Sequence, residues 1–235
     1  MRYLFGGILS ILFIACQSNP IGVCENNSEL TETIVVKTAT ALERDSRDAT
    51  VEVHSLRQNG TGLGTGTVYK YKGQIIVLTA AHVLGSVDNM AMISTGFEKV
   101  VAKVVYFDKE ADLAVLVIPE ITSVEPMKFR PIKKDSLRVG QDLVYSGYPN
   151  VSTLLTIRGY VSGFYSEDYM AIHSYGWSGA SGSSIFTTNG RLVGVLMAID
   201  VGEGLFGMPN IIEDIVVVVP IWRLDIDLLN ANLGI

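Results

Sequence analysis

The sequence is poor in charged residues, and basic residues are the scarcer of the two kinds. Charged side chains make up 18% of the 235 residues, and 18 Lys and Arg stand against 24 Asp and Glu, for a net charge of −6. Nucleic-acid binding needs clustered Lys and Arg to meet the phosphates. The basic residues here are scattered, so no nucleic-acid partner is expected. With 48% hydrophobic residues and 23 glycines, the composition indicates a globular protein rich in strands and turns.

Cysteine is also scarce, and the long apolar run is confined to the first residues. Tyr3 to Ala15 is almost wholly apolar, and its length, about half of a bilayer-spanning helix, predicts a secretion signal in residues 1–16. Its end resembles the bacterial lipobox, with Phe13 where Leu is commonest, and this predicts acylation of Cys16 and membrane attachment through it. An ordinary cleaved signal and an uncleaved anchor are the alternatives. If Cys16 carries a lipid, Cys24 has no cysteine left to pair with.

The remainder divides into a short polar segment and one long domain. Residues 17–45 are polar and poor in aromatic residues, which predicts a flexible tether. The chain beyond is long enough to bury a sizeable core, and residues 46–235 are expected to form a single domain. The signal predicts an exported protein of the periplasm or cell envelope, held there by a lipid.

Beyond residue 50, short apolar runs alternate with Gly, Asn or Asp, which is typical of antiparallel strands. About ten strands are expected, at the spacing of a sandwich or a barrel, and two packed barrels are predicted. The runs lie at residues 50–54, 67–71, 74–79, 100–107, 113–118, 142–146, 154–161, 184–186, 192–198 and 215–219. Helical patterns are confined to a turn at 80–84 and a terminal helix from Ile221 to Leu229.

A glycine-rich segment, residues 60–66, raises the question of a phosphate-binding loop. It is not followed by Lys-Ser/Thr, and a strand rather than a helix comes next. A phosphate would therefore meet no helix N-terminus. A hairpin or a loop entering a strand is the better interpretation.

Of the three histidines, His82 has the surroundings of a general base. His54 alternates with valines on a strand and is expected to face solvent, and His173 lies in a run of mixed polarity. His82 comes where an apolar strand passes through small residues into a tight turn, which fixes an imidazole at the edge of a rigid sheet. A base of this kind gains from a carboxylate that orients it. Asp112, at the mouth of the apolar run 113–118, is the candidate, because neighbouring Asp108 and Glu110 do not abut that run.

The chain resembles the trypsin-like (chymotrypsin-fold) serine proteases in three blocks, which occur in that family's order of His, Asp and Ser. The blocks are Thr79-Ala80-Ala81-His82, Asp112-Leu113-Ala114-Val115-Leu116 and Gly179-Ala180-Ser181-Gly182-Ser183. Their style is closest to the bacterial HtrA-type catalytic domain, and the resemblance covers about residues 48–223. No PDZ module is expected, since about fifteen residues follow Pro220.

The resemblance implies an all-β fold of two packed six-stranded antiparallel β-barrels with a short C-terminal helix. It also implies a serine endopeptidase without metal or cofactor, acting on peptides or proteins. Ser181 would attack the peptide carbonyl, His82 would transfer the proton, and Asp112 would orient His82. The backbone N–H groups of Gly179 and Ser181 would hold the oxyanion.

The stretch 176–186 contains four serines and offers two frames for the nucleophile. In the family, a small-residue turn after the nucleophile leads into a buried strand. The fourth residue after Ser181 is the apolar Ile185, whereas the fourth after Ser178 is Gly182, so the pattern selects Ser181. The loop departs from the family at Ala180, usually Asp or Asn, and at Ser184, usually Pro.

Substrate preference is inferred from the family's specificity pocket, whose floor lies six residues before the nucleophile, at Tyr175. Selection of Lys or Arg would need a buried acid there. The strand that would pair with substrate is apolar, Met197-Ala198-Ile199. Cleavage after small or medium apolar residues is expected; alternatively, Tyr175 and Met197 fill the pocket as core residues.

Two further functions compete with the protease. A catalytically silent protease fold, serving as a binding or scaffold lipoprotein, is compatible with the departures around Ser181. An α/β-hydrolase esterase is excluded by order, because its histidine follows its serine and the last histidine here, His173, precedes Ser181.

Overall fold

A computed structural model describes residues 39–57, 60–88, 90–151, 153–203 and 209–235. The predicted signal at 1–16, the predicted acylation site Cys16, Cys24 and residues 17–38 of the predicted tether lie outside the described residues. Within the described ranges, no helix is long and apolar enough to cross a membrane. The compact unit that contains the described residues extends from Ala39 to Ile235.

The first half of this unit is an antiparallel barrel that closes through pairing of its first two strands. Its strands are β1 (Thr50–Arg57), β2 (Gly60–Tyr71), β3 (Gln74–Ala80), β4 (Met90–Ser94), β5 (Lys99–Asp108) and β6 (Leu113–Val117). Their order around the barrel is β1-β4-β5-β6-β3-β2, and the short β7 (Met127–Lys128) adds to β2 in parallel. In β1, Val51, Val53 and Ser55 are fully buried while Glu52 and His54 are half-buried, which is the alternation expected of a barrel wall.

The second half is a closed antiparallel barrel with the strand order β10-β13-β12-β11-β8-β9. Its strands are β8 (Asp142–Gly147), β9 (Leu155–Phe164), β10 (Met170–His173), β11 (Ser184–Thr187), β12 (Leu192–Glu203) and β13 (Pro209–Pro220). The two six-stranded barrels confirm the predicted fold class. Barrel closure leaves few exposed strand edges, so an open edge within this unit deserves a functional explanation.

Three helices flank the barrels in the described part of the chain: α1 (Ala41–Asp48), α2 (Ala81–Leu84) and α3 (Ile226–Leu233). The helix α1 begins inside the segment predicted to be a tether. Thr40 and Glu43 form a capping box at its start, and Ser46 hydrogen-bonds Ser146 of β8. The helix α3 confirms the predicted C-terminal helix, although it begins later, after a 3₁₀ turn at Ile221–Arg223.

The glycine-rich segment lies in an antiparallel pair of consecutive strands, which agrees with the hairpin interpretation and not with a loop that enters a strand. Residues 60–66 are the first half of β2, and each of them pairs with a residue of β1, from Arg57 opposite Gly60 to Val51 opposite Gly66. Side chains at three of its glycines would collide with neighbours: at Gly62 with Ser55 Oγ, at Gly64 with Val83, and at Gly66 with Val77. Glycine in a strand interior often marks such close approach. Strands β4, β7 and β10 are absent from the runs that the sequence predicts.

Candidate active site

His82 lies in the short helix α2, directly after the buried strand β3. Two side chains of β1 hold the far end of this helix. Ser55 Oγ donates to the carbonyls of Val83 and Leu84 at 2.9 and 3.2 Å, and Arg57 donates to the carbonyls of His82 and Val83, each at 2.5 Å. The unpaired carbonyls at a helix end are thereby satisfied. The His82 side chain remains 47% exposed on a rigidly held backbone.

Asp112 devotes both carboxylate oxygens to His82. Its Oδ2 lies 2.8 Å from His82 Nδ1, and its Oδ1 accepts the backbone N–H of His82 at 2.7 Å. The Asp112 side chain is only 12% exposed. Because a carboxylate faces Nδ1, the neutral imidazole carries its proton there, which leaves Nε2 as the acceptor.

The backbone of Asp112 has a φ of +50°, in the left-handed region that Asp and Asn tolerate better than other side chains. Asp108 prepares this turn, since its Oδ1 accepts the N–H groups of Glu110 and Ala111, each at 2.9 Å. Asp112 also accepts the Ala81 N–H at its carbonyl, at 3.1 Å. The sequence therefore places one aspartate in a structural role and the other against the imidazole.

Ser178 and Ser181 occupy equivalent places in two consecutive turns. The first is closed by Ala180 N–H to Trp177 O and the second by Ser183 N–H to Ala180 O, each at 3.0 Å. Gly179 and Gly182 are the third residues of these turns and have φ values of +96° and +94°, as type II turns require. Only the second turn leads into β11, where Ile185 and Phe186 are 0% and 1% exposed.

The Ser181 hydroxyl donates to the carbonyl of Met197 at 3.2 Å. Among the described residues it makes no hydrogen bond with His82. Met197 is the bulged residue of β12, because the register with β13 shifts between Leu196 and Ala198. A bulge interrupts the regular ladder at this residue, whose carbonyl accepts the Ser181 hydroxyl.

The backbone N–H groups of Gly179 and Ser181 have no acceptor among the described residues. The peptide groups that contain them are held by their carbonyls. Ser178 O accepts Asn150 N–H at 2.7 Å, and Ala180 O accepts Ser183 Oγ–H at 2.7 Å. Asn150, with φ +59°, was not identified from the sequence; its left-handed backbone and its role carry no sequence signal beyond Asn itself.

The two unusual residues of the loop are both buried. Ala180 is fully buried, where a charged side chain would need a partner. The N–H of Ser184 faces Thr67 Oγ1 of the first barrel at 3.4 Å, a contact that proline could not make because it lacks the N–H. The substitution of Ser for Pro therefore comes with an acceptor in the facing barrel.

The residues predicted to bind substrate lie beside this loop. Tyr175 is 48% exposed, and its carbonyl accepts the hydroxyl of Tyr145. Burial raises the pKa of the Tyr145 phenol, so this hydroxyl keeps the proton that it donates. The buried residue is not Tyr175 but the following one, Gly176. A Cβ on Gly176 would lie 2.7 Å from Val216 and 3.1 Å from Ile199.

Met197, Ala198 and Ile199 are half-buried and form an open strand edge. On one side β12 pairs with β13. On the other side its pairing with β11 ends at Val195, and from Met197 to Ile199 no strand of the described chain takes its place. An open strand edge of this kind can receive an extended peptide.

One glycine brings the two halves of the site together. A Cβ on Gly64 of β2 would lie 2.5 Å from Val83 of α2 and 2.9 Å from the carbonyl oxygen of Ser181. The helix that carries His82 and the loop that carries Ser181 therefore pack against the same backbone position. His54 and His173 lie elsewhere: His54 hydrogen-bonds Glu52 at 3.0 Å, and His173 stacks on Tyr160. In the described ranges, no three His, Cys, Asp or Glu residues cluster as metal ligands would.

Comparison with known proteins gave one family match and many structural matches. The model of the trypsin-like peptidase domain matches residues 64–195. A probable periplasmic serine protease of the do/HhoA type from Haemophilus influenzae is 30% identical over 154 residues, which are 61% of this chain and 32% of the relative. The chain thus spans about a third of that relative's length.

Three solved structures illustrate the fold. The HtrA-type protease AlgW with a tripeptide has a TM-score of 0.63 at 20% identity, over 77% of this chain and 59% of AlgW. The serine endoprotease from Yersinia pestis has a TM-score of 0.63 at 22% identity, over 82% of this chain and 68% of that one. A protease from M. tuberculosis in its active form has a TM-score of 0.63 at 20% identity, over 83% and 84% of the two chains. At these identities the likeness concerns the fold alone.

Proposed function

Because the chain belongs to the trypsin-like peptidase family, we propose that it is a serine endopeptidase whose catalytic residues are Ser181, His82 and Asp112. The observation that carries the proposal is the Asp112–His82 pair, in which both carboxylate oxygens hold one imidazole. Gly64 is the common packing position of His82's helix and the Ser181 loop. The available atom Nε2 of His82 supplies the base that a serine nucleophile needs.

The chemistry follows from these positions. Ser181 Oγ attacks the peptide carbonyl carbon while its proton passes to His82 Nε2, and the carbonyl oxygen becomes an oxyanion held by the N–H groups of Gly179 and Ser181. The imidazolium, stabilised by Asp112, returns the proton to the leaving amine as the C–N bond breaks. Water then attacks the acyl-enzyme by the same route and releases the acid and Ser181.

Substrate binding prepares the nucleophile in this proposal. An extended peptide that pairs with the open edge at Met197–Ile199 presents its own N–H groups to that edge. One of them can replace the Ser181 hydroxyl at the Met197 carbonyl, since a carbonyl paired with Ser181 Oγ at 3.2 Å holds it only weakly. Ser181 then turns toward His82.

The expected specificity is for small or medium apolar residues before the cleaved bond. A Cβ added at Gly176 would meet the side chains of Val216 and Ile199, so aliphatic groups line this position. Among the side chains that the structure describes there, a Lys or Arg side chain would meet no buried acid. Digestion of a peptide library followed by mass spectrometry measures the preference, and strong selection for Lys or Arg would contradict it.

The place of action that we propose is the cell envelope. The predicted signal and the lipobox-like end support it, and the relative from Haemophilus influenzae is a probable periplasmic protein. Metabolic labelling with a palmitate analogue, in cells that make the wild type or Cys16→Ser, tests the anchor. Label on both proteins, or on neither, would contradict lipidation at Cys16.

The decisive experiment on activity is labelling by a fluorophosphonate, which reacts with an activated serine. The matched variants are Ser181→Ala and Ser178→Ala, since both serines hold the same place in their turns. We expect label on the wild type and on Ser178→Ala, and none on Ser181→Ala. Label that survives Ser181→Ala but not Ser178→Ala would move the nucleophile to the first turn.

A second candidate function is a silent scaffold of the same fold. The observation that favours it is the Ser181 hydroxyl, which bonds Met197 rather than His82. If the folded wild type takes up no fluorophosphonate and cleaves no peptide in the library, the scaffold replaces the endopeptidase.

A further inference from the structure

The strand β2 passes behind the Ser181 loop, and Thr65 lies at the point of contact. Thr65 stands between Gly64 and Gly66, and its side chain is fully buried. It belongs to the first barrel, whereas the loop belongs to the second. It lies in the glycine-rich segment, where no sequence pattern marks it as functional.

Every polar group of Thr65 has a partner. Its hydroxyl donates to the carbonyl of Gly179 at 2.8 Å and accepts the N–H of Tyr148 at 3.0 Å. Its own N–H donates to the carbonyl of Ser181 at 2.8 Å. Its carbonyl accepts the hydroxyl of Thr79 at 2.7 Å. A buried hydroxyl that donates one hydrogen bond and accepts another is fixed in orientation.

These contacts matter because a trans peptide group is planar, with its N–H and C=O pointing in opposite directions. A bond to a carbonyl therefore sets the direction of the N–H in the same group. Thr65 holds the two peptide groups, 179–180 and 181–182, that alternate with the groups carrying the oxyanion donors. The donor groups are themselves held by Asn150 and Ser183. Four successive carbonyls, 178 to 181, are thus anchored.

The Thr65 hydroxyl also joins the two segments that must agree. Tyr148 belongs to the same stretch as Asn150, whose N–H holds the Ser178 carbonyl. One side chain thereby ties the segment that fixes the Gly179 N–H to the loop that contains it. Loss of the hydroxyl would leave the buried carbonyl of Gly179 and the N–H of Tyr148 without their mutual partner.

We propose that Thr65 is a positioning residue for the oxyanion hole, acting through its hydroxyl on the Gly179 carbonyl and the Tyr148 N–H. The inference rests on the proposed endopeptidase function and adds a determinant from the first barrel to the loop of the second. Thr65 touches no substrate. It keeps the N–H groups of Gly179 and Ser181 aimed at the site of the developing charge, which affects the transition state more than the bound substrate.

The test compares Thr65→Val, which keeps the shape and removes the hydroxyl, with Thr65→Ser, which keeps the hydroxyl. Thr50→Val is the matched control, because Thr50 is also buried and donates its hydroxyl to a carbonyl, that of Ser46, at 2.6 Å. Activity of the full-length protein is measured on a peptide ester and a peptide amide. The pH dependence of kcat/KM and the thermal unfolding of each variant are recorded with it.

Removal of one oxyanion donor costs about 10²–10³ in kcat, so misaiming two retained donors is expected to cost about 10- to 50-fold. We expect this loss in kcat for Thr65→Val with KM little changed, most of it restored in Thr65→Ser, and none in Thr50→Val. The acid limb of the pH profile should stay in place, since the His82–Asp112 pair is untouched. If Thr65→Val does not fold, Thr65→Cys against Thr65→Ser makes the same comparison, because a thiol is a weak donor.

An active wild type with an equally active Thr65→Val would overturn the inference and leave the endopeptidase standing. Equal losses in Thr65→Val and Thr50→Val, or no recovery in Thr65→Ser, would also overturn it, because they indicate a general loss of packing. An inactive wild type overturns the proposed function itself, and the inference falls with it.

Discussion

Replacement of Asp112 by Asn is the sharpest test of the site, because it changes the chemistry and spares the backbone. Asn tolerates a positive φ nearly as well as Asp, so the +50° conformation of residue 112 should persist. Asp112 accepts two hydrogen bonds from His82, one from the backbone N–H at 2.7 Å and one from Nδ1 at 2.8 Å. The side-chain amide of Asn has one oxygen and one NH₂ group in place of the two carboxylate oxygens, so it can accept only one of these two hydrogen bonds.

The partly buried backbone N–H keeps the oxygen, because leaving it unpaired is costly. The NH₂ group then faces Nδ1 of His82, which must become an acceptor, and the ring proton moves to Nε2. In that tautomer His82 cannot take the proton of Ser181. Such a replacement lowers kcat by about 10⁴ in a triad of this kind, which corresponds to about 5.5 kcal/mol at about 1.4 kcal/mol per factor of ten.

Asp108→Asn is the matched control. Asp108 lies in the same turn and accepts two backbone N–H groups, each at 2.9 Å, but it does not touch His82. We expect it to lower stability by about 1 kcal/mol and to leave kcat close to the wild-type value. The assay is kcat/KM for a peptide ester, with circular dichroism to confirm the fold. An Asp112→Asn protein within tenfold of the wild type, or an equal loss in Asp108→Asn, would refute the reasoning.

Two predictions concern stability. Gly182→Ala should lower the free energy of unfolding, measured in urea, by about 3 kcal/mol or more, because its Cβ would overlap the backbone of β2 and its φ is +94°. The control Gly73→Ala, with φ +88° and open space around its Cβ, should lower it by only about 1–2 kcal/mol. Equal losses would show that the overlap at Gly182 is relieved. The hydrogen bond from Arg158 lowers the pKa of Glu43 to about 2, so its contribution is complete above the usual carboxyl range and is lost as pH falls from about 4.5 toward 2. Glu43→Gln should therefore flatten the acid loss of stability in that window, and an unchanged acid profile would show that the pair contributes nothing.

The parts of the structure that could be predicted depend on local pattern. His82 follows an apolar strand, Asp112 precedes another, and Ser181 precedes a third. In each case the buried strand fixes the register of the proposed catalytic residue. The order of the three blocks, His then Asp then Ser, is what predicts the family and with it the two-barrel fold. The choice between Ser178 and Ser181 was decided by Ile185 and Phe186, whose burial in β11 the structure bears out.

The parts that could not be predicted depend on partners remote in sequence. The helix α1 is strongly polar and reads as a tether, yet its Glu43 and Ser46 are buried against Arg158 and Ser146, which lie at least 100 positions away. The capping box at Thr40 and Glu43 was the one readable signal. The predicted strand begins only at residue 67, because glycine is rare in strands, whereas β2 begins at Gly60. At Gly64 the close approach of Val83 and Ser181 leaves no room for a side chain.

The division of the site between two barrels has a consequence for how the molecule fails. His82 and Asp112 belong to the first barrel and Ser181 to the second, and hydroxyl contacts such as that of Thr65 align them. Neither half of the chain holds all three residues of the proposed triad. If one barrel slid slightly over the other, the proposed catalytic residues would separate while every strand ladder stayed intact. Turnover would therefore measure how the two barrels are docked, whereas spectroscopy would measure only whether each barrel is folded.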